Sequence, residues 1–551
     1  MKRFVKSLFL ITLGLCFTIV LFFIILYWSR DSRDLGFLPS DDEMLNARDS
    51  LTSKGVLTLG EEGCWNLYAQ GAPVVIGNVM GKFGQDLVRY QEKVFVDAIR
   101  RVVPSDTYLA FLRVLLGAYN RNLASSVPDE YKQEIYAMAQ YCSDEYNIIG
   151  SPYDRQLNYH AAHDIGHAMQ RYMLVGCTSF GVWGSRSKEG KLLVGRNFDF
   201  YFGDEFARNK LISVINPQQG YAFIAVGWPG MVGVLSGMNE KGLTVTINAA
   251  QGEIPLSSAT PVSILARKIL QYASNIAEAV AIAREYELFT SEQFLIGSAS
   301  DGCCATIEKT PAKMDVVYGT EGMIVNANHY RGEVFANDKW NNENILMSDS
   351  KYRYRRVEEL IDSIHSLDVC DVVSILRNRK GIAGKEIGFT NQKSINQMIA
   401  NHSVVFEPQG RNIWVAAGKG WPCGRYVHYN LDTLLARAAI GVNNSLFDAF
   451  EGKCDIGEDT LFMNHDYARV VEFRSMMAQF ENGSGPLDIE RFISLNPNYY
   501  RTWEVLAEHY IEKGNYAEAV KCYTKALDCE VATLWERDAI GDRLEELKGK
   551  N

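Results

Sequence analysis

From residue 35 to about 172, apolar residues recur every three to four positions with charges between them, as in DLVRYQEKVFVDAIRRVV and DTYLAFLRVLLGAYNRNL. That spacing lays an apolar stripe along one face of a helix and predicts a helical, mixed region. At Cys177 the period changes: CTSFGVWG, KLLVGRNFDF, YAFIAVGWPGMVGVLSGM and GLTVTINAA are short β-prone runs separated by glycine turns. Helical spacing returns near 261–273 and 275–287. Strands follow at EQFLIGSAS, CATIEK, MDVVYG and GMIVNANHY, then helices around 351–378, then SVVFEP and NIWVAAG joined through Pro408-Gln409-Gly410. Strand blocks flanking helix blocks predict a layered α+β domain from 177 to roughly 455.

The two ends differ from this middle. Lys2, Arg3 and Lys6 precede an uncharged apolar run, Ser7 to Trp28, which at about 1.5 Å per residue can cross a hydrocarbon core of roughly 30 Å. Its exit, Tyr27-Trp28-Ser29-Arg30, lacks the small residues of a cleavage site. The expectation is an uncleaved transmembrane helix within an anchor of residues 1–34, with a cytoplasmic N-terminus and an extracytoplasmic body; Arg30 and Arg33 beyond the span pull against that orientation. At the other end, Trp503, Leu506, Ala507, Tyr510, Gly514, Ala519, Tyr523 and Ala526 fit the tetratricopeptide pattern, with Pro497 where a preceding repeat would end. One such repeat cannot stand alone, so the tail, 465–551, is expected to pack on the catalytic domain or to offer a groove to a protein partner.

Composition narrows the function. The values of 47% hydrophobic and 22% charged residues are those of a folded chain, and a net charge of -10 with no Lys/Arg block argues against a nucleic-acid partner. The eleven cysteines show no zinc-ligand spacing. In YHAAHDIGH, residues His160, His163 and His167 share a helix face, but there is no His-Glu-x-x-His pattern, and Asp164 is the one carboxylate within the cluster. No metal and no cofactor is expected there; the histidines are read as packing against the β-domain, assisting an acyl shift or lining the pocket entrance.

Cys177 follows Gly176 at the start of a strand. A mid-chain cysteine beside a base can act as a conventional thiol nucleophile. If the Gly176–Cys177 bond is cut, the new α-amino group, with a pKa of about 7.7–8.0, lies within reach of its own thiol, so that one residue supplies nucleophile and base. Glycine before the cysteine leaves the scissile carbonyl unshielded. In GRNFDF, Arg196 is suited to favour the thiolate and Asp199 to orient the ammonium, with a local turn or bulge needed to bring both to one site; a structural salt bridge is the other reading. Asn248 ends the strand after the Asn239-Glu240-Lys241-Gly242 turn, and Asn326, Asn328 and His329 end a later one. Such residues are turn formers or amide donors for an oxyanion.

Taken in order, GCTS, GRNFDF, GMNEKGLTVTIN, NANHY and DSKYRYRR resemble the cysteine N-terminal-nucleophile (Ntn) hydrolases, over roughly 177–430. That superfamily includes choloylglycine hydrolases, acyl-CoA:6-aminopenicillanic acid acyltransferases and acid ceramidase. The resemblance implies a four-layer αββα sandwich over 177–455, preceded by a helical propeptide region, 35–176. It implies Cys177 as nucleophile, Arg196 and Asp199 as the Arg-x-x-Asp pair, Asn248 and Asn328 as the two asparagines, and Arg353, or Arg356, as the second arginine. Some 176 residues precede Cys177, an arrangement similar to the branches that cut themselves before the cysteine and keep both chains together. The implied activity is that of an amidase or acyltransferase on a lipid-like or N-acyl amide. Two rivals stay open: an uncut thiol hydrolase using Cys177 with a histidine, and an anchored non-enzymatic scaffold with a degenerate hydrolase domain and a partner-binding helical tail.

Overall fold

The computed structural model describes residue 18 and residues 20–49, 51–60, 63–161, 164, 175–253, 255, 257–483 and 488–549. Fifteen strands are present among them: β1 (Gly55–Leu59), β2 (Trp65–Gly71), β3 (Val175–Val182), β4 (Leu193–Phe200), β5 (Leu211–Pro217), β6 (Phe223–Gly227), β7 (Ser236–Asn239), β8 (Leu243–Ala249), β9 (Glu292–Ser298), β10 (Cys303–Lys309), β11 (Met314–Tyr318), β12 (Met323–Asn326), β13 (Ala400–Glu407), β14 (Asn412–Ala416) and β15 (Tyr426–Asn430). They form a nine-stranded sheet, β1-β2-β5-β6-β7-β8-β9-β10-β11, and a six-stranded sheet, β12-β3-β4-β13-β14-β15. Neighbours run antiparallel except β2 and β5, which are parallel.

The sheets pack face to face through apolar side chains: Val194, Val404, Phe406 and Val415 on one side, Ile212, Val214, Ile224, Met238 and Leu295 on the other. Helices Val262–Tyr272 and Ile276–Glu285 cover the outer face of the larger sheet, and helices Ser350–Ile364 and Val369–Leu376 that of the smaller, giving helix, sheet, sheet, helix. A strand covered on both faces should be buried at every position, and β4, LVGRNFDF, is. The Asn239-Glu240-Lys241-Gly242 turn forms as its residues dictate. The side-chain oxygen of Asn239 accepts from the N–H groups of Lys241 and Leu243, both at 3.0 Å, and Gly242 takes φ +73° where a Cβ would lie 2.5 Å from the Pro408 carbonyl.

Two expectations change here. Residues 35–176 are not wholly helical: β1 and β2 lie within them, and β2 pairs with β5, so the segment before Cys177 belongs to the same sheet as the strands after it. The expected transmembrane helix is not supported. Residues 1–17 and 19 of the anchor lie outside the described residues, and among the described residues no helix is long and apolar enough to cross a membrane. The end of that run is instead committed to the folded body. Tyr27 is buried, its ring occupies the space beside Gly117 where a side chain would otherwise sit, and Arg30 pairs with Asp154 at 2.6 Å. The expected single-pass topology with a cytoplasmic N-terminus and an extracytoplasmic body loses its basis with the span.

Buried charge also ties the early segment to the later one. Arg267, on helix Val262–Tyr272, pairs at 3.0 Å with Glu134, on helix Asp129–Ala139, with both side chains 2% exposed. Arg267 further donates to the Val232 carbonyl and to Gln271. The C-terminal helices, from Tyr467–Asn482 to Leu534–Lys548, have their own core around Phe473, Phe492, Leu506 and Tyr523. They seat on the two-sheet unit through a reciprocal pair of bonds between the Asn496 side chain and the Phe389 backbone (2.9 and 3.0 Å) and through Lys393–Glu530 at 2.7 Å.

Removing one partner of a buried pair strands the other charge. Glu134→Ala is expected to destabilise the protein by about 3–5 kcal/mol, seen as a lower denaturant midpoint, while Glu134→Gln, which keeps a hydrogen-bond acceptor, costs less.

Candidate active site

Cys177 sits in β3, with Phe198 of β4 as its cross-strand partner, and Gly176 lies opposite Asp199. Its thiol is fully buried, and burial pushes the thiol pKa up, an effect that the Arg196 charge opposes. Each backbone group of the residue is held from another element. The N–H donates to Asn328 Oδ1 at 2.9 Å, just past the end of β12, and the carbonyl accepts from Arg353 Nη1 at 2.6 Å, from helix Ser350–Ile364. Arg353 also reaches Asn328 Oδ1 at 2.6 Å, Thr178 Oγ1 at 3.1 Å and Asp349 at 3.2 Å. Arg356 turns away to Glu359 and Asn378, so of the two arginines read from the sequence Arg353 is the one against Cys177.

Arg196 approaches from the inter-sheet side, with Nη2 3.6 Å from Cys177 Sγ. Its other bonds run to the nine-stranded sheet and to β13: the carbonyls of Leu235 and Ile247, the Ser236 hydroxyl and His402 Nε2. A histidine nitrogen that accepts from a guanidinium is unprotonated, and burial together with Arg196 holds the His402 pKa well below its usual value. Asp199 is three residues on in the same strand and therefore faces the other way. No bulge separates β3 from β4; the irregularity lies on β13, where Asn401 is skipped between the partners of Asp199 and Phe198. Arg196 thus approaches the Cys177 sulfur from one face of a regular strand, and Asp199 lies on the other face, cross-strand from Gly176.

Asp199 is fully buried, and neither carboxylate oxygen has a hydrogen-bond partner among the described residues. Burial raises its pKa to about 8, with Arg353 and Arg196 opposing. Asn248 accepts from Ser179 Oγ at 2.8 Å and donates to the Ala327 carbonyl at 3.0 Å, while Asn328 Nδ2 donates to the Ala249 carbonyl at 2.8 Å. Both asparagines therefore brace the strand ends around Cys177. Asn326 instead pairs with Thr306, and His329 with Ser350, whose hydroxyl also accepts from the Asn328 N–H at 2.7 Å.

Several residues at this site carried no signal in the sequence. Ser236 and His402 complete the Arg196 shell from distant strands. Gln397 packs on Gly176 so closely that a Cβ there would lie 2.6 Å from its Nε2. Glu292, fully buried at the start of β9, has no partner for either oxygen among the described residues, and burial together with Asp164 raises its pKa well above the carboxylate range. The Asp349–Arg353 pair was findable, since residues four apart on a helix meet. Of the histidine cluster, His160 is buried, bonded to the Gln156 carbonyl at 2.7 Å and to the Val232 N–H at 2.8 Å, with its pKa lowered by burial to about 4. His163 and His167 lie outside the described residues, among which no group of three or more metal-ligating side chains occurs.

Comparison with known proteins supports the class. Residues 185–420 match the family of acyl-coenzyme A:6-aminopenicillanic acid acyl-transferase. The matched segment holds Arg196, Asp199, Asn248, Asn328 and Arg353 and begins after Cys177. The match is to an acyl-transferase family and spans less than half of this chain. An uncharacterized protein of Archaeoglobus fulgidus is 24% identical over 343 residues, 56% of this chain and 56% of that one, so the chain spans little more than half the length of this relative. Among solved structures, a Caenorhabditis elegans N-acylethanolamine-hydrolyzing acid amidase ortholog is similar at 15% identity and a TM-score of 0.31, covering 42% of this chain and 93% of its own. A mutant of the conjugated bile acid hydrolase of Clostridium perfringens is similar at 15% identity and a TM-score of 0.31, covering 44% and 89%.

The raised pKa of Asp199 fixes the sign of a pH effect. Between its ordinary value of 3.8 and about 8, the unfolded chain ionises the group while the folded chain keeps it protonated. Its contribution to stability is therefore full below about pH 4 and declines as pH rises toward 8. Across this window the thermal midpoint of a Cys177→Ala chain is expected to fall relative to that of a Cys177→Ala, Asp199→Asn chain; an unchanged difference would show that Asp199 ionises normally.

Proposed function

We propose that this protein is a self-cleaving cysteine Ntn amidase or acyltransferase, acting on linear acyl amides through a thioester on Cys177. The observation that carries the reading is Asp199: a buried acid with no hydrogen-bond partner among the described residues, cross-strand from Gly176, the residue whose bond to Cys177 cleavage would break. An acid left unpaired there costs free energy that a new cation would repay.

In the proposed maturation, Cys177 Sγ adds to the Gly176 carbonyl carbon, the C–N bond breaks, and the α-nitrogen of Cys177 leaves as an amine carrying the thiol proton. Water then hydrolyses the thioester, giving a Gly176 carboxylate and a free thiol. In turnover the α-amine takes the thiol proton, Sγ adds to the substrate carbonyl, and the ammonium returns the proton to the leaving amine; water or an acceptor amine resolves the new thioester. Arg196, 3.6 Å from Sγ, favours the thiolate, Arg353 and Asn328 hold the Cys177 backbone, and Asp199 orients the ammonium. Asn248 keeps its strand end in register through Ser179. The tetratricopeptide-like spacing of the tail supports a helical-hairpin role for it beside this unit.

The test is a gel and intact-mass measurement of purified wild type beside Cys177→Ala. The expected result is two wild-type chains, divided between Gly176 and Cys177, and one uncut variant chain with amidase activity at background. A wild-type chain that stays whole overturns the proposal.

A further inference from the structure

Besides Cys177 Sγ, the partners of Arg196 among the described residues are all neutral: the Leu235 carbonyl at 3.1 Å, the Ile247 carbonyl, the Ser236 hydroxyl and His402 Nε2 at 3.2 Å. Glu292 and Asp199 act on the guanidinium through space, but their carboxyl oxygens form no bond to it. A guanidinium held by a carboxylate has its field largely cancelled for any third group. Arg196 has no such partner, so its charge stands uncancelled 3.6 Å from the thiol.

Of these acceptors, His402 is the one that can take up a proton near neutral pH. The irregularity of β13 between Ala400 and His402 sets His402 opposite Phe198, on the face of β4 that carries Arg196. There its ring stacks on Phe198 with centres 5.1 Å apart, and Nδ1 lies 3.4 Å from Asn401 Oδ1. With its proton on Nδ1, Nε2 accepts from the Ser236 hydroxyl at 2.8 Å, and the Ser236 oxygen is left to accept from Arg196. The charged groups that act on His402 are Arg196 and Lys210, both cations, and full burial works in the same direction, so the ring stays neutral. A protonated ring would turn Nε2 into a donor and set a second cation against Arg196.

We infer that His402 is a positioning residue for Cys177: a neutral acceptor that orients the Arg196 guanidinium without cancelling it and so reserves that charge for the thiolate. The inference rests on the reading of Cys177 as the nucleophile. The groups that act on the thiol are Arg196 and Arg353, which favour the thiolate, and Asp199 and Glu292, which oppose it; of these, His402 bonds to Arg196. The ultraviolet absorbance of the Cys177 thiolate is titrated against pH as the difference between each protein and its own Cys177→Ser form, for the wild type, His402→Gln, His402→Glu and Ser236→Asp. A gel of the same preparations reads the state of the Gly176–Cys177 bond. His402→Gln keeps a neutral acceptor and is expected to titrate with the wild type. His402→Glu and Ser236→Asp each give Arg196 a carboxylate and are expected to move the midpoint up by about 1–3 pH units. Carboxylates placed from two different strands keep the result readable if one variant fails to fold. A folded carboxylate variant that titrates with the wild type, or a His402→Gln midpoint that rises by as much as one pH unit, overturns the inference. A wild-type chain that stays whole on the gel overturns the self-cleavage reading instead, and the titration still decides the role of His402.

Discussion

Two arginines buried to the last atom, Arg196 and Arg353, decide where Cys177 sits. Taking a guanidinium out of water costs several kcal/mol, and it is tolerated only where the donors are met by acceptors with good geometry. Arg196 finds them on β13 and at the ends of β7 and β8; Arg353 finds them on β3, at Asn328 and at the start of its own helix. Because these partners come from both sheets and from the helical layer, neither sheet can slide without stranding a charge. The thiol is thereby fixed between one guanidinium at its sulfur and another at its carbonyl.

The acids around the same point are treated in the opposite way. Asp199, Glu292 and one oxygen of Asp164 are buried without hydrogen-bond partners among the described residues, and burial raises the pKa of all three. Asp164 belongs to the segment before Cys177, and its second oxygen accepts from the Val262 N–H at 3.1 Å, at the start of a helix on the catalytic unit. Around Cys177 the two guanidiniums meet acceptors through their terminal nitrogens, while each keeps a buried Nε without a partner among the described residues, as Asp199 and Glu292 keep their oxygens.

The segments on either side of the catalytic unit are built into it. The parallel β2–β5 pairing and the buried Arg267–Glu134 bridge bind the early residues to the later ones by backbone hydrogen bonds and paired charge, neither of which depends on the Gly176–Cys177 bond. The tail docks through Asn496 and Glu530.

The strand order around the site was legible because its signals are local. GRNFDF reads as a strand from its own β-prone residues, and the NEKG turn specifies its own hairpin through Asn239 and Gly242. The choice of Cys177, Arg196, Asp199, Asn248, Asn328 and Arg353 as candidates likewise came from short motifs. What the sequence could not place were residues joined by long loops: β1 and β2, too short to stand out from helical neighbours; Ser236 and His402, which meet Arg196 from strands far along the chain; and Gln397 against Gly176. The apolar run at the N-terminus read as a span by hydropathy alone, which cannot register that Tyr27 and Arg30 are committed to Gly117 and Asp154. Periodicity and turn chemistry are written residue by residue and so determine the elements and the candidate groups. Which buried charges find partners, and which are left waiting, depends on chain segments hundreds of residues apart, and only the tertiary structure decides that.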